Sequence, residues 1–173
     1  MSRSSLARSI YDAAHLTGTF RLRSGQTSDE YFDKFRFQAD PVLLAEIAEA
    51  MVPLVPDDVD ALAGLQLGGI PLVTALSRAT GLPARFVRLE RKTYATEQIA
   101  EGGPIDGLRL AIVEDVVTTG GQIASSAEDL RAEGATVEHA LCVVDREQGA
   151  PENLSRAGLE LRSLFRANEL MPA

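Results

Sequence analysis

The sequence predicts an α/β protein whose mostly parallel sheet is covered by helices on both faces. Three observations support this class. Strand-like and helix-like segments alternate along the chain. The segments RLAIVEDVV (109–117) and TVEHALCVVDR (136–146) are apolar enough for strands buried on both faces. The 173 residues, 45% hydrophobic and 24% charged, have the composition of a single globular domain.

The first third of the chain combines one amphipathic helix with two alternating segments. Apolar spacing predicts a helix over residues 4–15, ended by Gly18. FRLRSG (20–25) and YFDKFRF (31–37) alternate as strands do, and the polar QTSDE (26–30) between them predicts a turn.

Helix start and stop signals organise the middle of the chain. Asp40-Pro41 predicts a helix beginning, with aspartate as the N-cap and proline in the first turn. The elements that follow are a helix, a strand, a helix and a strand, at Val42–Met51, DALAGLQ (60–66), GGIPLVTALSRATG (68–81) and ARFVRLE (84–90). Residues 91–107 are polar and glycine-bearing, which predicts a long loop.

The last third repeats the strand–helix pattern around a glycine-rich break. TTGG (118–121) ends the strand at 109–117, and QIASSAEDLRAEG (122–134) predicts a helix with Gly134 past its end. LELRSLFRANEL (159–170) predicts a last strand and a helical turn. Ligands of such sheets bind at the carboxyl ends of the strands, so the loops after residues 64, 115 and 146 are candidate sites.

Charge and cysteine content restrict the partners. The chain has 17 Lys+Arg against 25 Asp+Glu, a net charge of −8, which makes it a poor candidate for non-specific nucleic-acid binding. A phosphorylated ligand would therefore require a local cluster of positive groups. Only Lys34 and Lys92 are lysines, and lysine and arginine are not interchangeable. Cys142 is the single cysteine, and we expect it to be inert core in a reducing, cytoplasmic compartment. No apolar run approaches the ~20 residues of a membrane span, so no membrane partner is expected.

The segment LAIVEDVVTTGGQ (110–122) carries the strongest functional signal. A buried strand brings Glu114 and Asp115 to its end, where charged groups cost free energy unless they are used. The turn Thr118–Gly121 offers backbone N–H groups and hydroxyls at a helix start, as a phosphate cradle does. The two acids could hold sugar hydroxyls, or Mg²⁺ through water. The alternative is a purely structural strand–turn–helix junction with threonine as the N-cap.

This pattern resembles the motif that binds phosphoribosyl pyrophosphate (PRPP) in type I phosphoribosyltransferases. Segment 110–122 contains neither the dinucleotide fingerprint GxGxxG nor the Walker signature GK[ST]. Four further segments resemble, in family order, the signatures of the orotate phosphoribosyltransferases: FRLRSGQTSDEYFD, GLQLGGIPLVTAL, VRLERKTYAT and VVDRE. The resemblance spans residues 20–147.

The resemblance implies a fold and an activity. The fold is the type I phosphoribosyltransferase fold in one domain over 1–173, with an N-terminal hood at 1–40 and a mobile lid loop at 91–107. The implied reaction transfers the phosphoribosyl group of PRPP to orotate, giving orotidine 5′-phosphate and diphosphate in UMP biosynthesis. Mg²⁺ is the implied cofactor, and the implied assembly is a homodimer in which the lid of each subunit reaches the partner's site.

The resemblance also implies roles for individual residues. Lys92 and Asp115 are expected to be catalytic. PRPP is expected to contact Arg23, Leu67, Gly68, Arg88, Lys92, Tyr94, Glu114, Asp115, Val116, Val117, Thr118, Thr119, Gly120, Gly121 and Gln122. Orotate is expected to contact Tyr31, Phe32, Thr118 and Arg146. Mg²⁺ is expected on PRPP itself, with a link through water to Asp115 and no direct protein ligand. Gly68 stands where many bacterial members have lysine.

Two other functions are compatible with the sequence. One is phosphoribosyl transfer to another base, against which the LRSG run and Arg146 argue. The other is a non-catalytic regulator that senses PRPP, against which the presence of Lys92 argues. His15 and His139 lie in no motif and are predicted to be structural. The cluster Asp57, Asp58 and Asp60 lacks metal-ligand spacing and is predicted to be a solvated turn.

Overall fold

A six-stranded sheet forms the centre of the molecule. The structure, a computed structural model, describes residues 1–21, 25–90 and 98–170. The strands are β3 (Ala61–Leu65), β4 (Ala84–Val87), β5 (Ala100–Glu101), β6 (Arg109–Val117), β7 (Thr136–Asp145) and β8 (Glu160–Arg166). Their order in the sheet is β5-β4-β3-β6-β7-β8, and neighbouring strands are parallel except for the antiparallel pair of β4 and β5. The predicted mostly parallel sheet is confirmed.

Helices cover both faces of this sheet, as predicted. They are α1 (Arg3–Ala14), α2 (Lys34–Ala39), α3 (Pro41–Met51), α4 (Gly69–Thr80), α5 (Gly121–Ala132), α6 (Ala150–Arg156) and α7 (Ala167–Leu170), with a short 3₁₀ helix at Val52–Leu54. The Asp40 carboxylate accepts hydrogen bonds from the first-turn N–H groups of Val42 and Leu43, so the predicted N-cap is correct. α6 was not predicted from the sequence.

The side chains of β6 alternate between two apolar cores. Ala111 and Val113 pack with α1, α3 and α4 on one face, whereas Leu110 and Ile112 pack with α5 and α6 on the other. The strand therefore lies at the centre of the sheet with both faces buried, which explains its almost unbroken apolar sequence. Cys142 of β7 is fully buried in the second core, as expected.

The N-terminal segment corrects two predictions. β1 (His15–Arg21) and β2 (Thr27–Phe32) form a separate antiparallel hairpin, so the predicted turn at 26–30 is largely strand. The strand predicted over 31–37 ends at Phe32, and α2 follows. Asp33 caps α2 by accepting a hydrogen bond from the Phe35 N–H, and Phe37 is buried in the core. An alternating pattern over so few residues does not separate strand from helix, and tertiary packing decided between them.

In the loop predicted over 91–107, the described residues 98–107 are irregular apart from the two-residue strand β5. Residues 91–97 lie outside the described residues. Ala100 pairs with Val87 in β5, the Arg88 N–H donates to the Ile99 carbonyl, and Ile99 and Ile105 are buried. The segment after residue 97 is therefore attached to the edge of the sheet. Within the described ranges, no helix combines the length and the apolar character that crossing a membrane requires.

Candidate active site

The carboxyl ends of β3, β6 and β7 lie side by side because these strands are neighbours in the sheet. The turn after β3, the loop after β6 and the loop after β7 therefore converge on one edge, where ligands of parallel sheets bind. These are the three loops that the sequence singled out.

The loop after β6 forms a small polar pocket at the start of α5. Its lining includes Glu114 and the predicted phosphate-binding run, Val116, Val117, Thr118, Thr119, Gly120, Gly121 and Gln122. Gly120 has a left-handed φ of 79°, and a Cβ there would lie 2.8 Å from Cγ of Leu154. The Asn153 side chain donates to the Thr119 carbonyl at 3.0 Å and fixes the loop from α6. The arrangement offers N–H groups at a helix N-terminus, which suits a phosphate group.

The two acids at the end of β6 have different environments. Burial raises the pKa of the Glu114 carboxyl to about 8, aided by the side-chain hydrogen bond with Asp115 and the charge of Asp115. The hydrogen bond from the Asp115 backbone N–H and the charge of Lys34 lower this pKa. Asp115 is fully buried. Its Oδ1 accepts from the Lys34 ammonium at 2.9 Å and from the Val116 N–H at 2.6 Å, and its Oδ2 accepts from the Gln38 amide at 2.8 Å. Glu114 therefore borders the pocket, while Asp115 points to α2.

The turn between β3 and α4 lies against Asp115. The Gln66–Leu67 peptide bond is cis, and Leu67 is exposed. A Cβ built on Gly68 would overlap the Asp115 carboxylate. Glycine at this position is thus the residue that fits while Asp115 keeps its orientation, which gives a physical reason for the absence of a side chain at 68.

A cavity of about 430 Å³ opens between the hairpin and the end of β7. It is lined by Tyr11, His15, Ser28, Glu30, Tyr31, Phe32, Val144, Arg146, Ala167 and Leu170. Three of the predicted orotate residues, Tyr31, Phe32 and Arg146, meet here. Thr118 does not line this cavity and belongs to the phosphate pocket.

Several residues that line this cavity were not predicted as site residues from the sequence. His15, predicted to be structural, lines it and stacks on Tyr11 with ring centroids 4.6 Å apart. Ala167 and Leu170 of α7 also contribute. These positions carry no motif, and only the packing of the chain ends against the hairpin brings them to the cavity.

Hydrogen bonds to β6, to the end of β7 and to α7 fix the loop that carries Arg146. The backbone N–H of Arg146 donates to the Val117 carbonyl at 2.8 Å, and the backbone N–H of Glu147 donates to Asp145 Oδ1 at 2.9 Å. Glu147 has a φ of 58°, unusual for a residue with a side chain, and its carboxylate accepts two hydrogen bonds from Asn168. The C-terminal helix thus supports the loop of the predicted base-binding arginine.

The remaining side chains predicted to contact PRPP lie at or beyond the edge of the described residues. Arg88 follows β4 and pairs with Glu101 of β5 at 3.3 Å. Arg23, Lys92 and Tyr94 lie outside the described residues. In the acidic cluster at 57–60, Asp58 pairs with the Arg109 guanidinium, and Asp60 accepts a hydrogen bond from the Arg109 backbone N–H.

The chain is similar to known proteins over nearly its full length. No protein-family model matches it. An orotate phosphoribosyltransferase of Nocardioides sp. is 46% identical over 165 residues, which cover 95% of this chain and 92% of the relative. The crystal structure of Mycobacterium tuberculosis H37Rv orotate phosphoribosyltransferase in complex with Fe(III) dicitrate matches with a TM-score of 0.89 and 31% identity, covering 98% of this chain and 99% of that one. The crystal structure of the same enzyme in complex with PRPP matches with a TM-score of 0.83 and 30% identity, covering 97% and 98%.

The fold and the three converging loops thus define a phosphoribosyltransferase of type I architecture. More narrowly, the chain belongs to the orotate phosphoribosyltransferase family, and it is a transferase enzyme of pyrimidine biosynthesis.

Proposed function

We propose that the chain transfers the phosphoribosyl group of PRPP to orotate and uses the three loops described above for the three parts of the reactants. The observation that supports this most directly is the neighbouring position of the phosphate pocket after β6 and the cavity that contains Arg146 after β7. A ligand with a phosphate at one end and a planar base at the other would span the two.

The 5′-phosphate and the ribose of PRPP, and the orotate base, each have a matching group. The 5′-phosphate would accept hydrogen bonds in the pocket of Thr118–Gln122, and the ribose would lie over Glu114. Orotate would lie against Tyr31 and Phe32, with the forked guanidinium of Arg146 on its polar atoms. Orotate nitrogen bonds to the anomeric carbon as the bond from that carbon to diphosphate breaks, so negative charge grows on the leaving diphosphate.

The donor set at this edge suits a Mg²⁺ ion that arrives on the diphosphate. Among the described residues, no group of three or more His, Cys, Asp or Glu side chains is placed to hold a metal. The oxygens of Asp115 already accept hydrogen bonds, and the Glu114 carboxyl has a pKa of about 8, so neither is a ready direct ligand. Mg²⁺ carried on PRPP would neutralise the charge that grows on the leaving diphosphate.

We further propose that the protein works as a cytoplasmic homodimer. The support is the family assignment, together with the single buried cysteine, which fits a reducing compartment. Sedimentation of the purified chain at micromolar concentration tests the dimer, and a monomer at that concentration would contradict it.

The activity is tested by following orotate absorbance with PRPP and Mg²⁺ present. Absorbance should fall only when enzyme, PRPP and Mg²⁺ are all present, and addition of a chelator should stop it. Uracil, adenine and hypoxanthine serve as comparison bases. Faster conversion of one of these than of orotate would contradict the proposed base, and no conversion of any would contradict a transferase role.

A further inference from the structure

Lys34 is a lysine to which no motif gives a role, yet it reaches the centre of the site. It lies on α2, directly after the hairpin, and its ammonium is 2.9 Å from Oδ1 of Asp115. The Asp115 side chain is fully buried, whereas 37% of the Lys34 side chain is exposed. The buried carboxylate thus holds a cation that solvent or a ligand can reach.

The ion pair lies on the β3 side of β6. The Asp115 carboxylate occupies the space where Gly68 would carry a Cβ, so the ammonium is separated from the β3–α4 turn by one carboxylate group. The phosphate pocket is lined instead by Glu114 and residues 116–123. Phe32, which lines the base cavity, precedes Lys34 by two residues. The ammonium therefore lies on the side of the site that faces the β3–α4 turn, and not among the residues that line the phosphate pocket.

A cation at this position would compensate the negative charge of a bound diphosphate. The chain carries a net charge of −8, so a diphosphate needs local positive groups against the overall field. Arg88 is the cation predicted to bind PRPP that lies within the described residues, and it is already paired with Glu101. One of the three N–H groups of Lys34 donates to Asp115, which orients the ammonium and reduces the entropy lost on binding a ligand.

We propose that Lys34 is a diphosphate-binding residue, held in place by Asp115, for the PRPP reaction proposed above. The ammonium donates to a diphosphate oxygen in bound PRPP and stabilises the charge that grows on the leaving group. Asp115 and Gln38 act as its supports, since Gln38 fixes the second carboxylate oxygen at 2.8 Å.

Binding of two fragments of PRPP separates this role from a purely structural one. Calorimetry on the full chain measures the affinity for inorganic diphosphate with Mg²⁺, and for ribose 5-phosphate. Lys34→Met should weaken diphosphate binding about tenfold or more, the size of a lost charge-assisted hydrogen bond, and change ribose 5-phosphate binding less than about twofold. Lys34→Arg should restore part of the diphosphate affinity. Arg36→Met, which removes an exposed cation from the same helix, is the matched control and should change neither affinity.

A second pair of variants removes the buried charge that Lys34→Met would leave unpaired. Asp115→Asn and the double variant Lys34→Met/Asp115→Asn both lack the carboxylate, so they differ only in the ammonium. The double variant should still bind diphosphate about tenfold more weakly than Asp115→Asn. Equal diphosphate affinities in this pair would overturn the proposal, as would a loss confined to ribose 5-phosphate in Lys34→Met. Orotate conversion by the unmodified enzyme is measured in parallel, because its failure would count against the proposed function rather than against Lys34.

Discussion

Gly120 is required by the backbone and by its neighbour, independently of any ligand. Its φ of 79° strains residues with a side chain, and a Cβ would lie 2.8 Å from Leu154. Gly120→Ala should therefore lower the free energy of unfolding by about 2 kcal/mol. Gly121→Ala is the control, because a Cβ there meets Thr119 Oγ1 at an ordinary 3.8 Å, and it should change stability by less than about 0.5 kcal/mol. Urea denaturation measures both, and equal losses would contradict the argument.

The raised pKa of Glu114 predicts a pH dependence of stability. In the unfolded chain this carboxyl ionises near its ordinary value of 4.5, whereas in the folded chain it keeps its proton until about pH 8. The folded state then binds more protons than the unfolded state between these values, so the group's contribution to stability falls as the pH rises through this window. Glu114→Gln should stabilise the protein relative to the unmodified chain more at pH 8.5 than at pH 4.5. Thermal melts at the two pH values measure the difference, and an equal effect at both would show that the carboxyl is not protonated when folded.

Arg146 offers a test of base recognition. It lines the cavity with Tyr31 and Phe32, on a loop separate from the phosphate pocket. Arg146→Lys keeps the charge and loses the forked geometry, so it should raise the KM for orotate about tenfold and the KM for PRPP less than twofold. Steady-state kinetics with each substrate varied in turn measure the two values. A parallel rise in both would assign Arg146 a structural role.

At the scale of elements, two asparagines on the last two helices support different parts of the site. Asn153 of α6 donates to the Thr119 carbonyl of the phosphate loop, whereas Asn168, at the start of α7, donates to Glu147, next to Arg146. Asn153→Ala should raise mainly the KM for PRPP, and Asn168→Ala mainly the KM for orotate, each by several-fold, about 1 kcal/mol. Each variant is the other's control in the same assay. If the two variants shift the same KM, the helices do not act on separate subsites.

At the scale of the whole molecule, the proposed dimer predicts complementation between inactive subunits. Lys92→Ala removes the lid cation, and Asp115→Asn removes the core acid. If lids act on the partner's site, a hybrid dimer has one site with both defects and one with neither. Equal mixing makes half of the dimers hybrid, so activity should recover to about a quarter of the unmodified level.

Subunit exchange must be confirmed by mass spectrometry, and each variant must be inactive alone. With these controls in place, absence of recovery would contradict a lid shared between subunits. The family assignment would stand, because it rests on sequence and fold.

Local sequence was sufficient to predict those helices and strands whose pattern lies within a single segment. β6 and β7 were predicted because strands buried on both faces must be apolar along their length, and α3 because Asp40-Pro41 satisfies the orphan N–H groups of a first turn. The helix at α2 was missed because a short alternating segment is ambiguous. β5 was missed because glycines and polar residues indicate loops, and only pairing with β4 makes this segment a strand.

The sequence by itself determined the fold class, the three strand ends that form the site, and the motif between Glu114 and Gln122. The fold class, the strand ends and the motif follow from patterns within single segments: the hydrophobic period, the positions of glycines and the pair of acids are each defined by a few neighbouring residues. Only the tertiary structure decided that Lys34 meets Asp115, that Asp115 fills the space beside Gly68, and that α7 supports Arg146. The reason is that these contacts join residues tens of positions apart, and burial, which sets the pKa of Glu114 and the pairing of Asp115, is a property of the packed molecule rather than of any one segment.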